Sequence, residues 1–122
     1  MRTLVVSLCL LLGSTASVGN AHHSATMFDR EHARTIAGTV KQFQWTNPHA
    51  WLQVDVADGD RHVEWSVELN GINALARGGY RPGTFKPGDA ITVFLAPHVD
   101  GVPAGLYIGA RLPDGTVLGR LE

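Results

Sequence analysis

Trp51-Leu52-Gln53-Val54-Asp55-Val56-Ala57-Asp58-Gly59-Asp60-Arg61-His62-Val63-Glu64-Trp65-Ser66-Val67-Glu68-Leu69 reads as a β-hairpin. Leu52, Val54 and Val56 alternate with Trp51, Gln53 and Asp55, so one face is apolar and the other polar. Asp58-Gly59 marks the reversal. After it, Val63, Trp65, Val67 and Leu69 point one way, while His62, Glu64, Ser66 and Glu68 point the other. Two amphipathic strands joined this tightly call for further strands to cover the apolar face.

Working outward, Thr35 to Trp45 forms the strand before the hairpin. Its apolar phase starts on Ile36 and Val40 and then slips to Phe43 and Trp45. A one-residue slip, with Gly38 in the run, predicts a bend or bulge in a strongly curved strand. Thr46-Asn47-Pro48-His49 interrupts pairing, because proline donates no hydrogen bond and Asn before Pro favours a turn. After the hairpin, Asn70 or Gly71 opens a short helix that Gly78-Gly79 stops, with Ile72, Leu75 and Ala76 on one face. Lys86-Pro87-Gly88-Asp89 turns into a fourth strand carrying Ile91, Val93 and Leu95, alternating with Thr92 and Phe94. Pro97-His98 and Asp100-Gly101 sit in a loop. A fifth strand, Leu106 to Leu112, places Leu106, Ile108, Ala110 and Leu112 on one face and turns Tyr107 away. An Asp114-Gly115 turn leads to a short edge strand at Val117-Leu118. Mostly β with one short helix between strands three and four, this order fits an OB-type five-stranded barrel; a small β-sandwich is the competing architecture.

The first residues have a separate purpose. Met1-Arg2 is a positive start, Leu4 to Leu12 an apolar run too short for a membrane span, and Gly19-Asn20-Ala21 a small-residue ending, the layout of a secretory signal. Cleavage after Ala21 leaves a more usual polar spacer; cleavage after Ala16, with Ser14 three residues before the cut, also satisfies the small-residue rule. The chain then divides into a signal at 1–21, a histidine-bearing segment at 22–34 and a barrel domain at 35–122, with a periplasmic or secreted destination. Ten Lys and Arg face eleven Asp and Glu, and Arg2 leaves with the signal. Such a balance gives no electrostatic footprint for nucleic acid. No second apolar stretch has membrane-spanning length. Cys9, the one cysteine, is removed with the signal, so thiolate chemistry and disulfides leave with it.

Six histidines carry the sharpest chemical hypothesis. Cleavage after Ala21 makes His22-His23 the new terminus, putting two imidazoles beside an α-amine; His49 lies in the Asn-Pro-His turn and His98 in a loop. Without thiols, imidazole and carboxylate are the ligands left for a transition metal, copper first. The metal ligands expected are His22, His23, His49 and His98. The bland reading is that His49 and His98 only hold turns, and that His32 and His62 are solvated. A second hypothesis uses aromatics: Trp51 and Tyr107 on an outward face, with Trp45 closing the first strand, would take a small molecule, a saccharide or a partner protein. Against it, Trp45 and Trp51 serve as lids over one barrel end. A third, a copper-dependent oxidoreductase, needs a substrate cleft that the sequence does not define. Hydrolase signatures of the Gly-x-Ser-x-Gly and His-Glu-x-x-His kinds are absent. Glu64 and Glu68 read as a charged row that keeps a strand face soluble. Gly78 to Gly83 lacks the context and the lysine of a phosphate loop. The expectation is a non-enzymatic binding module.

Ala21-His22-His23-Ser24, Phe28-Asp29, Gly38-Thr39-Val40, Trp45-Thr46-Asn47-Pro48-His49-Ala50-Trp51, Trp65-Ser66-Val67-Glu68 and Lys86-Pro87-Gly88-Asp89 occur in that order. In this the chain resembles a domain-of-unknown-function family of bacterial exported proteins, marked by a leading double histidine and an Asn-Pro-His element. The resemblance spans essentially all of the chain after the signal. It implies export and a small β-barrel, and brings no established activity. Ser24-Ala25-Thr26-Met27 departs from the pattern, in which an aromatic soon follows the serine.

Overall fold

The alternation of residues 51–69 becomes an unbroken antiparallel ladder. In a computed structural model that describes residues 26–122, β2 (Trp51–Asp58) pairs with β3 (Arg61–Glu68) from Trp51↔Glu68 to Asp58↔Arg61. Leu52, Val54 and Val67 are fully buried. Gly59 takes φ +61° while Asp60 stays at negative φ, the φ pattern of a type II′ hairpin turn, which glycine enters without steric cost.

The strand before it, β1 (Arg34–Gln44), bends as its sequence implies. Its first half pairs with β4 (Ala90–Pro97), and its second half with β2. The register slips between Val40 and Gln42, which makes Lys41 the extra residue of a bulge and re-aims Phe43 at the core. Gly38 lies before the bulge and serves a different need. A Cβ there would stand 2.2 Å from the Asp55 carbonyl oxygen, so the strands approach closely only because that atom is missing.

Closure comes from β5 (Ala104–Arg111), which pairs antiparallel with β4 and parallel with β3 at Ser66↔Ala104, Val67↔Gly105 and Glu68↔Leu106. The circuit β1–β2–β3–β5–β4–β1 is a closed five-stranded mixed barrel, and β6 (Val117–Gly119) adds an extra strand on β5. The short helix α1 (Ile72–Arg77) lies between β3 and β4. The OB-type order is realised, and the sandwich is set aside because the sheet closes on itself. Among the described residues no helix is long and apolar enough to cross a membrane.

One end of the barrel is plugged by α1 and the loop after it. Leu75 is buried; Ile72 is half-buried and Ala76 exposed, so one residue of the expected apolar face carries the packing. Tyr80 and Phe85 complete the plug, and Phe85 meets Phe43 edge-on with ring centroids 4.9 Å apart. A fully buried side chain of this size contributes ~1.5–3 kcal/mol.

Strand β5 corrects the expected orientations. Its pairing with β4 shifts register between Phe94 and Leu95, which pair with Gly109 and Tyr107, so Ile108 is bulged. The bulge changes the phase that simple alternation assumes. Tyr107 is turned into the core against Tyr80 and Phe85, while Leu106 and Ile108 lie outside the core cluster.

Two predictions follow from this packing. Gly38→Ala is expected to destabilise the fold by ~1–3 kcal/mol through overpacking, read by urea unfolding. Gly83→Ala, where an added Cβ meets nothing within 4 Å, should change stability by less than ~0.5 kcal/mol. The second concerns the tyrosine hydroxyls, 2.9 Å apart. Burial pushes Tyr107 far above the ordinary tyrosine range, reinforced by its bond to Tyr80, and burial raises Tyr80 as well. The folded state thus holds these protons more tightly than the unfolded chain does. That stabilisation is complete below the unfolded-state value of ~10 and is lost as pH rises above it. The chain has two tyrosines, so tyrosinate absorbance should appear together with unfolding and not before it.

Candidate functional site

The β1–β2 turn is held from several sides. Thr46 Oγ1 donates to the His49 carbonyl at 2.8 Å, and Asn47 Oδ1 accepts the Ile72 N–H at 3.0 Å. That N–H is one of the donors that a helix start leaves unsatisfied, so the turn caps α1. The Asn47–Pro48 peptide is cis. Ala50, fully buried, exchanges backbone hydrogen bonds with Leu69 and Asn70.

These contacts aim His49 at the end of β3. Its Nδ1 lies 3.2 Å from the Leu69 carbonyl oxygen and 3.1 Å from Glu68 Oε1. Both neighbours are acceptors, so Nδ1 carries a proton, and in the neutral ring Nε2 holds the lone pair. The His49 side chain is 41% exposed, that of Glu68 10%. Glu68 is therefore a buried carboxylate, which corrects its expected place on a solvated face. Sheet register gives the reason: Glu68 stands between Trp51 on β2 and Leu106 on β5, with a strand on each side of it.

The other histidines are engaged differently. His98 Nδ1 accepts the Asp100 N–H at 3.1 Å, which assigns the proton to Nε2. Its side chain is 13% exposed and its ring meets Phe28 edge-on at 5.8 Å. It does not share partners with His49. His32 pairs with Asp29 at 2.8 Å and His62 with Asp55 at 3.0 Å, both exposed. The hydrogen bonds from His32 draw the Asp29 carboxyl below its usual range. Among the described residues no three His, Cys, Asp or Glu form a group able to hold a metal ion. His22 and His23 lie outside the described residues.

The expected aromatic face divides. Trp45 packs against the core and meets Phe43 edge-on at 5.8 Å. Tyr107 is turned inward. Trp51 alone stays half-buried and outside the core cluster, beside Glu68. Trp65, also half-buried, carries the Arg34 guanidinium 5.5 Å above its ring. Sequence reasoning missed the role of Glu68. The hairpin turn alone already places it opposite Trp51, but its second neighbour, Leu106, comes from barrel closure.

Together these features describe a small closed OB-type barrel whose first turn presents one oriented imidazole. The chain belongs to a family described as "Family of unknown function (DUF6152)", whose model matches residues 10–108. That match takes in β1 to β4, α1 and the first part of β5, and stops short of β6. No curated protein and no solved structure matches the chain.

The Asn47 contact is testable by itself. Asn47→Ala leaves the Ile72 N–H without its side-chain acceptor, and should cost ~1 kcal/mol on the scale of lost N-terminal caps, measured by chemical denaturation.

Proposed function

We propose that this chain is an exported bacterial binding module without enzymatic activity, and that it captures a transition metal, copper first. Export rests on the signal-like layout of residues 1–21, with release of His22 as the terminus. In this reading His22, with its α-amine, and His23 supply ligands from the segment before the barrel, and His49 supplies one from the barrel itself.

One observation carries the proposal. A ligating histidine characteristically donates its other ring N–H to a carboxylate or a backbone carbonyl, which fixes the tautomer and raises the basicity of the ligating nitrogen. His49 has both kinds of acceptor at Nδ1, and among the described residues nothing bonds its Nε2. His98 has the reverse arrangement, its Nδ1 used as an acceptor and its Nε2 protonated, so the set is drawn without it. The metal, when bound, would contribute a positive charge at the surface; the chain's own part is to orient His49 and to hold the proton on Nδ1.

The test is a Cu(II) titration of protein whose N-terminus at His22 has been verified by intact mass. One site of sub-micromolar affinity is expected. His22→Ala should abolish tight binding, and Glu68→Gln should weaken it by ~10–100-fold, the usual cost of losing such an outer partner. His98→Ala should leave the affinity unchanged. Weak binding at several sites, indifferent to His22→Ala and His49→Ala, would sink the proposal.

A further inference from the structure

The bulge that turns Tyr107 inward leaves Leu106 and Ile108 on the outside of β5, and they floor a groove. On one side of them, a cavity of about 350 Å³ reaches toward α1 at Ala74 and Gly78 and ends at Glu68. On the other side, a cavity of about 280 Å³ takes in Ala96 and reaches Arg120 just beyond β6. Leu106, Tyr107 and Ile108 line both, and so does Arg30. Each volume is near the lower limit of small-molecule sites, ~300 Å³; as one continuous groove they fall within the range.

The charges along this groove are unevenly placed. Arg30 and Arg120 are both exposed, and neither guanidinium has a hydrogen-bond or ion-pair partner among the described residues. Glu68 lies at the α1 end of the groove, and among the described residues its carboxylate pairs with His49 through one oxygen. Arg120 stands in the cavity without Glu68 and Arg30 lines both cavities, so the two unpaired forks share the second cavity and suit a carboxylate there, which an arginine binds through two parallel hydrogen bonds. The apolar floor suits a hydrocarbon body. A second negative group reaching the far end would meet the Glu68 carboxylate and be repelled.

We propose that this groove is a binding site for an apolar monocarboxylate, with the carboxylate held by Arg30 and Arg120 and the hydrocarbon body lying on Leu106 and Ile108. Glu68 sets the specificity by excluding dicarboxylates. The groove shares Glu68 with His49, but binding there does not rest on metal capture.

Octanoate is the probe, titrated calorimetrically into the metal-free protein. Saturable one-to-one binding is expected, weaker by at least about tenfold in Arg30→Ala/Arg120→Ala, the scale of lost hydrogen bonds to a charged group. Octan-1-ol, lacking the charge, and suberate, carrying a second one, should each bind at least about tenfold more weakly than octanoate. The protein is free of metal throughout, which keeps this result distinct from that of the copper titration. Amide resonances of Leu106, Ile108 and Ala74 should shift on addition of octanoate to the unaltered protein, a readout independent of how the arginine variants fold. No saturable binding at millimolar octanoate, equal binding by the double variant, equal binding of suberate, or shifts confined to other faces would overturn the proposal.

Discussion

Three residue pairs, Ser66↔Ala104, Val67↔Gly105 and Glu68↔Leu106, close the barrel, and most of what is distinctive in the molecule depends on them. Parallel neighbours cannot be joined by a tight turn and need a crossover. Here the crossover is the stretch holding α1, the Tyr80–Phe85 loop and β4, so the same stretch that permits closure also plugs one end of the barrel. Without that ladder Val67 would have no strand on its second side, and the apolar interior would be a curved sheet open along one margin. The close approach it demands is visible at Gly105, where an added Cβ would stand 2.6 Å from Leu95 Cδ1.

Closure also decides the electrostatics. A glutamate near the end of a strand is ordinarily solvated, and burying an ionised carboxylate unpaired is costly. The ladder places Leu106 on one side of Glu68 and the hairpin places Trp51 on the other, so the carboxylate keeps His49 as its neighbour. Asn47 and Thr46 hold the turn that carries His49, and Asn47 does so by satisfying the start of α1. A helix cap, a buried carboxylate and a partly exposed imidazole are thus consequences of one packing arrangement at one end of the barrel.

Much of the architecture is legible in the residues. The alternation of 51–69, the phase slip between Val40 and Phe43, and glycines bracketing 72–77 carry local signals strong enough to place the hairpin, the bend and the helix. Strand β5 was legible in position but not in phase, because nothing in Leu106-Tyr107-Ile108 distinguishes a bulge from regular alternation; the bulge answers to β4 across the ladder. That is why Tyr107 was expected to face outward. Tyr80 and Phe85 as an aromatic plug are hard to read for a similar reason, since both lie in a loop with no periodicity. At the site, the turn around His49 was readable as a motif, whereas the role of Glu68 depends on a neighbour thirty-eight positions along the chain, Leu106, that only the closed barrel supplies.

The seam is short, and its shortness has a consequence of its own. Pairing of β3 with β5 begins at Ser66, so Arg61 to Trp65 have a ladder partner on the β2 side alone among the described residues. An unpaired margin of strand is a template on which another polypeptide can add. This margin begins with Arg61 and His62, whose side chains are 83% and 69% exposed, and Glu64 follows. At the point where pairing resumes stands Pro103, whose carbonyl takes the Ser66 N–H at 3.0 Å and which has no N–H to offer in return. A barrel that is nearly but not wholly zipped therefore guards its own gap, with charge along the open stretch and an imino acid at the fork, and resists being lengthened into a fibre.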